Sequence, residues 1–220
     1  MTIEPIAYFR SPLKGKFGLP RQSGLAPSLK GEIELIPPYD AAEAVRGLDG
    51  FEYCWLIWGF SLSEGKRNSM TVRPPRLGGN ERVGVFASRS PFRPNGLGLS
   101  CVRIESLKPG RIVVSGADLA DRTPVYDIKP YISYADSFPS ARCGFVDSTE
   151  WKPLRVEIPA SVTEKLGGDI VSALSELLSQ DPRPQYQDDS ERVYGLNLDS
   201  FDIKFKVSDG TVFVLSAEKY

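Results

Sequence analysis

Short apolar segments broken by proline, glycine and asparagine dictate what this chain can fold into. IEPIAYF, GEIELI, FEYCWLIWGF, VGVFAS, LGLSCVRIESL, RIVVSGADL and PVYDIKPYI succeed one another between Ile3 and Ile132. Each has the length of a strand, and turn-forming clusters bound it. Runs of this kind build an all-β barrel or sandwich. Within them, LKPGRIV (Leu107 to Val113) reads as a hairpin: proline pre-sets φ in the turn, and glycine tolerates the left-handed position. The fold class is mainly β.

Helical signals are fewer. PYDAAEAVRGLDGF predicts a short helix capped by Asp40, with Glu43 completing a capping box and Gly47 ending it. ASVTEKLGGDIVSALSELLSQ is stronger: Ser161 and Glu164 form a second box, while Ile170, Val171, Leu174, Leu177 and Leu178 share a face. Gly167-Gly168 is placed to divide it. RVYGLNL, FDIKFKV and TVFVLSA then read as three strands, the last two joined by Ser208-Asp209-Gly210. The change of character at STEWKPLR, Ser148 to Arg155, predicts a β-barrel domain over residues 1–150. A small α+β domain over residues 151–220 carries the segment DPRPQY, Asp181 to Tyr186.

The chain contains no histidine. That removes the commonest general base and the commonest transition-metal ligand, and with them Ser-His-Asp triads. No metal is expected, and the chemistry falls to carboxylates, tyrosines, lysines, backbone amides or a reactive cofactor. Gly96-Leu97-Gly98 lacks the third glycine of a dinucleotide fingerprint and follows no βαβ pattern, so the nucleotide-binding Rossmann and P-loop folds are unsupported. Cys54, Cys101 and Cys143 are far apart and read as free thiols. No apolar run approaches the roughly 18 residues of a membrane span, and MTIEPIAYFRSP has no leader-like pattern, so a cytoplasmic protein is expected.

Net charge is −1, yet its distribution is uneven. From Lys66 to Arg103 there are eight basic residues against one acid, Glu81. Seven of the eight are arginines, which fork onto phosphate and carboxylate, so an anion-binding surface and a solvated basic face are both open readings. Arg67, Arg73 and Arg76 are the candidate RNA contacts. Three loops rich in turn residues complete the picture: KFGLPRQSG, RSPFRPNGLG and DLADRTPVYDIKPY. Proline stiffens such loops and exposed amides near glycine can bind a polar ligand; equally, proline and glycine simply punctuate β-proteins.

Taken together, PRQSG, TVRPPRLGGNERVGVFASRSPFRPNGLGLS, DLADRTPVYDIKPY and DPRPQY resemble the TsaA-like (TrmO) family over nearly the whole chain. The resemblance implies an S-adenosyl-L-methionine-dependent enzyme that methylates N6 of N6-threonylcarbamoyladenosine (t6A) in tRNA. It also implies a donor site on the β-barrel, and a homodimer. Matching motifs puts Arg21, Gln22, Phe60, Ser61, Arg89, Leu99, Ala117 and Asp118 around the donor, with Arg93, Asn95 and Asp121 close behind. Two positions depart from the family pattern. Arg93-Pro94-Asn95-Gly96-Leu97-Gly98 stands for R-P-N-P-I-G, which loosens the turn, and Asp121-Arg122-Thr123-Pro124 stands for D-G-T-P, which adds a charge.

Methyl transfer from a sulfonium is an in-line displacement, so the protein must align the acceptor nitrogen and exclude water. An arginine fork suits the donor's carboxylate, and Asp118 or Asp121 suits its ammonium or ribose hydroxyls; both aspartates also read as turn caps. Asp181, Arg183 and Tyr186 are the catalytic candidates, with Asp127 and Tyr131 as alternative proton acceptors. One arginine among Arg76, Arg89, Arg93 and Arg183 is expected to read the threonyl carboxylate. Tyr53, Trp55, Trp58 and Phe60 offer rings for base stacking or for the core. A non-catalytic RNA-binding barrel and a small-molecule methyltransferase remain the other classes.

Overall fold

The computed structural model describes residues 2–63, 69–77, 81–149, 151–183 and 189–220, apart from the side chain of Arg76. Arg67 and Tyr186 lie outside the described residues. Among the described residues twelve strands run in chain order: β1 (Ala7–Arg10), β2 (Lys30–Leu35), β3 (Tyr53–Gly59), β4 (Thr71–Val72), β5 (Val83–Gly84), β6 (Leu97–Lys108), β7 (Arg111–Ser115), β8 (Pro124–Pro130), β9 (Arg155–Glu157), β10 (Tyr194–Leu198), β11 (Phe201–Ser208) and β12 (Thr211–Lys219).

Six of them close an antiparallel barrel in the order β1-β2-β7-β6-β3-β8. Strict alternation fills it: Phe9, Ile33, Leu56, Trp58, Val102, Ile112, Val114 and Val125 point inward and are buried, while their neighbours face out. The hairpin at Pro109-Gly110 forms as the sequence predicts, with Lys108 opposite Arg111. VGVFAS does not join the barrel. Only Val83–Gly84 is extended, paired with Thr71–Val72, and Val85–Ala87 winds into a 3-10 turn. Nor does PYDAAEAVRGLDGF make a capped α-helix. It forms two 3-10 turns, Ala42–Val45 and Leu48–Gly50, with no side-chain cap and no buried residue. Val45 and Leu48 pack only partly on the barrel core, and Gly47 at φ +84° divides them, so little burial favours a longer helix.

The second unit is a four-stranded sheet in the order β10-β11-β12-β9, in which β9 runs parallel to β12. Among the described residues three α-helices are present: α1 (Ser133–Asp136), α2 (Ala160–Leu166) and α3 (Gly168–Ser179). The long helical pattern is divided at Gly167, as its sequence indicates, but Ser161 does not cap: the N-cap is Pro159 and the hydroxyl box is not made.

Residues of the N-terminal segment complete this second core. Leu13, Ala26 and Leu29 are buried with Val162, Leu174, Leu178, Leu196 and Phe205. Phe17 stacks on Tyr194 and Phe205, at centroid distances of 6.4 and 6.3 Å. Polar contacts follow the same seam. Ser28 donates from its backbone and hydroxyl to Glu176 at 2.8 and 2.7 Å, and Asp199 N–H reaches the Pro12 carbonyl at 2.9 Å. The chain between β1 and β2 thus belongs to both units.

Candidate functional site

Strand β6 is the spine of the site. Alternation turns Gly98, Ser100 and Val102 inward and Leu99, Cys101 and Arg103 outward. A serine facing an apolar barrel needs partners for its hydroxyl. Ser100, 1% exposed, accepts from Trp58 Nε1 at 2.9 Å and donates to Asp118 Oδ1 at 2.5 Å. The indole lies against Gly98, where a Cβ would stand 2.3 Å from Trp58 Cε2; only glycine admits the ring. Phe60 packs edge-on against Trp58 with centroids 4.4 Å apart.

Asp118 follows the end of β7. Burial pushes its carboxyl above the ordinary carboxylate range; the Ser100 hydroxyl, its own and the Ser23 backbone N–H, and the Arg89 charge pull the other way. PRQSG lies alongside. Gln22 Oε1 accepts from Arg89 Nη1 at 2.6 Å, Ser23 Oγ accepts from the Cys101 N–H at 3.2 Å, and Gly24 N–H reaches the Gly116 carbonyl at 2.8 Å. The three loops singled out in the sequence therefore meet. Gln22 comes from the first, Arg89 from the second and Asp118 from the third.

The arginine loop is pinned from within. Arg93 Nη1 donates to the Ser88 carbonyl at 3.2 Å, and Ser90 Oγ accepts from the Phe92 N–H at 3.2 Å. Gly96 sits at φ +58°; its N–H donates to Arg93 O at 3.1 Å and its carbonyl accepts from Phe60 N–H at 2.9 Å. Rather than loosening the turn, Gly96 closes it with a conformation and an N–H that proline lacks.

Other candidates have different surroundings. Ala117 is buried in the barrel core, whereas Leu99 is 55% exposed. Asn95 is exposed, and Ser61 opens the 3-10 turn Ser61–Ser63. Asp121 braces a turn: its carboxylate accepts from the Ser11 N–H at 3.1 Å. Arg73 is exposed; Arg103 pairs with Glu52 at 3.2 Å. Asp127 lines a separate groove of about 620 Å³ beside Tyr39, Leu48 and Phe51, and pairs with Lys129 at 2.7 Å. Trp58 is core; Tyr53 is exposed and Trp55 half-buried, both in contact with Tyr131.

Past α3, Asp181 takes φ +50°. Arg183 forks onto its carboxylate, Nε to Oδ1 at 2.8 Å and Nη2 to Oδ2 at 3.0 Å. The Asp181 carbonyl accepts from Arg21 Nη2 at 3.0 Å, so DPRPQY begins beside PRQSG.

Sequence reasoning missed Ser23 and Ser100. Ser100 carried a readable signal, a polar residue at an inward position of an alternating strand. Ser23 carried none, since its role depends on a loop crossing to β6.

A closed barrel whose polar corner joins an arginine, an amide, a serine pair and a half-buried carboxylate belongs to the class of β-barrel proteins, and that corner offers donors and acceptors suited to a small polar ligand without a Rossmann crevice. Two family profiles match: the tRNA-methyltransferase O N-terminal domain over residues 8–137 and the TrmO C-terminal domain over residues 152–220. The chain belongs to the tRNA-methyltransferase O family. It is 41% identical to the tRNA (adenine(37)-N6)-methyltransferase of Escherichia coli strain K12, with 98% of this chain and 97% of that one covered. Identity is 42% with a putative S-adenosylmethionine-dependent methyltransferase of Pseudomonas aeruginosa, over 92% of this chain and 90% of that one. The crystal structure of TrmO from Pseudomonas aeruginosa superposes with a TM-score of 0.82 at 35% identity, over 100% of this chain and 97% of that one.

Proposed function

We propose that the protein transfers the methyl group of S-adenosyl-L-methionine to N6 of t6A at position 37 of tRNA. It is an S-adenosyl-L-methionine-dependent tRNA methyltransferase. The observation that carries this reading is the end-to-end match to the Escherichia coli enzyme named for N6 methylation of adenine 37. The polar corner fits the donor chemically. Arg89, braced by Gln22, supplies a cation for a carboxylate; Asp118 supplies an acceptor for hydroxyl or ammonium donors; and the exposed Leu99 offers an apolar edge to a purine.

When bound, the sulfonium supplies an activated methyl group. The chain's own residues then have three tasks. Arg89 and Gln22 fix the donor's polar end, Trp58 and Phe60 give the pocket a rigid apolar floor beside Ser100, and the barrel wall keeps water from the reacting centre. The arginines around this corner provide the counter-charge for the threonyl carboxylate of the acceptor.

The protein acts as a homodimer in the cytoplasm. Leu99, with the half-buried Ile57 and Trp55 on the adjoining strand, leaves an outward apolar stripe at the donor strand, and light scattering of the purified protein tests the pairing. Unpaired thiols at Cys54, Cys101 and Cys143 suit a reducing compartment.

Incubating t6A-containing tRNA with protein and methyl-labelled donor, followed by nucleoside mass spectrometry, tests the activity. Label on t6A supports it. Label on no nucleoside, with donor bound, refers the donor to a small-molecule acceptor; no donor binding refers the barrel to a non-catalytic RNA module.

A further inference from the structure

The segment that walls the donor corner is held from the other unit. Arg21, Gln22 and Ser23 are consecutive, yet each side chain or amide goes to a different place. Arg21 reaches the Asp181 carbonyl at 3.0 Å, Gln22 takes the Arg89 guanidinium at 2.6 Å, and Ser23 joins Cys101 N–H and Asp118. The end of α3 is thereby connected, through one residue, to the residues proposed to grip the donor.

Asp181 is built for that connection. Its φ of +50° lies in the left-handed region, which aspartate enters more readily than most residues other than glycine. It persists because the turn is over-determined: the Asp181 N–H donates to Leu178 O at 3.1 Å, and its Oδ1 accepts the Arg183 N–H at 3.3 Å. The Arg183 fork takes both carboxylate oxygens, with the Arg183 side chain only 13% exposed. Three donors thus hold the carboxylate in this turn, the Arg183 N–H and Nε on Oδ1 and Nη2 on Oδ2. Its carbonyl, by contrast, is aimed at Arg21 by the same turn.

We infer that Asp181 and Arg183 are positioning residues: they fold the turn that presents the Asp181 carbonyl to Arg21 and so hold Arg21-Gln22-Ser23 in the donor-binding conformation. The idea rests on the proposed donor site and assigns the C-terminal unit a part in binding the methyl donor. A catalytic Asp181 would act on the rate at saturating donor. A positioning Asp181 acts on donor affinity, through Arg21.

The test measures the S-adenosyl-L-methionine Kd by calorimetry, and the single-turnover rate on t6A-containing tRNA at saturating donor. The proteins are wild type, Asp181→Asn, Arg183→Lys, Arg21→Ala and the double variant Arg21→Ala/Asp181→Asn. Losing a hydrogen-bonded charged contact predicts a Kd raised about tenfold in Asp181→Asn, with a saturating rate within a few-fold of wild type. Arg183→Lys keeps the charge but not the fork, so it weakens binding similarly. Adding Asp181→Asn to Arg21→Ala changes Kd by far less than it does in wild type. Should Asp181→Asn not fold, Arg183→Lys and hydrogen exchange at residues 20–24 give the same reading, with protection of that segment lost in the variant.

Unchanged Kd with a rate lowered by orders of magnitude makes Asp181 catalytic and overturns the inference, as do additive effects with Arg21→Ala. Wild-type protein that binds no donor overturns the proposed function itself, and this inference with it.

Discussion

The Ser100 hydroxyl donates to Asp118 Oδ1 at 2.5 Å and is held in that direction by the Trp58 Nε1 bond at 2.9 Å. Ser100→Ala leaves the indole N–H facing an apolar interior and takes a donor from a half-buried carboxylate. The loss is about 1–3 kcal/mol of folding stability, read from urea denaturation midpoints. A midpoint equal to wild type would show that this bond does not tie the barrel to the site.

Asp118 sets a trade between stability and binding. A carboxyl raised by burial binds its proton more readily folded than unfolded. Stability therefore falls as pH rises from its unfolded pKa, near 3.9, through the higher folded value, and stays lowered at neutral pH. Asp118→Asn keeps an acceptor for Ser100 and sheds the buried charge. Its melting temperature exceeds that of wild type at neutral pH, and the advantage disappears below about pH 3. Donor affinity moves oppositely: the variant binds more weakly at neutral pH, and wild-type affinity declines on acidification at a higher pH than an ordinary carboxylate would give. Melting curves and calorimetry at matched pH read both; a variant less stable than wild type at pH 7 contradicts it.

Strand alternation made the barrel legible. Cys54, Leu56 and Trp58 are buried on β3 with Tyr53, Trp55 and Ile57 between them, and Tyr194, Leu196 and Leu198 are buried on β10. Period-2 patterning is local, so it survives in the sequence. Tertiary choice is not local. Val85 and Phe86 are as apolar as a strand, but no barrel neighbour pairs with them. Leu13 and Phe17 pack with α3 and β11, a destination that no local pattern encodes. The same holds at the site. Arg89 and Asp118 are legible from motifs, but the Gln22 contact that holds Arg89, the Arg21 bond to the Asp181 carbonyl and the turn that uses Asp121 join residues far apart in the chain.

Arg122 lies at φ +65°, exposed, with its N–H donating to Phe9 O at 2.7 Å. A non-glycine residue there costs roughly 1–2 kcal/mol, of which glycine's own unfolded-state entropy takes back about 0.5–1. Arg122→Gly restores the family's D-G-T-P and stabilises the protein by about 0.5–1 kcal/mol. Denaturant titration decides: a destabilised variant would mean that the guanidinium contributes more than the backbone strain removes.

Restoring the other family position has the opposite outcome. The R-P-N-P pattern invites Gly96→Pro, but Gly96 is at φ +58° and donates its N–H to Arg93 O. Proline is fixed near φ −65° and has no N–H. It cannot close this turn, so Arg93 and Asn95 must move. Gly96→Ala separates the two penalties, since alanine keeps the N–H while bearing the left-handed cost of about 1–2 kcal/mol. Stability therefore falls in the order glycine, alanine, proline, and donor affinity falls with it because Phe60 N–H is anchored on the Gly96 carbonyl at 2.9 Å. Denaturation midpoints and donor titration on the three proteins test the order. A proline variant as stable as wild type, with donor affinity intact, would show that the loop can take the proline-closed course and that Gly96 is not what shapes it.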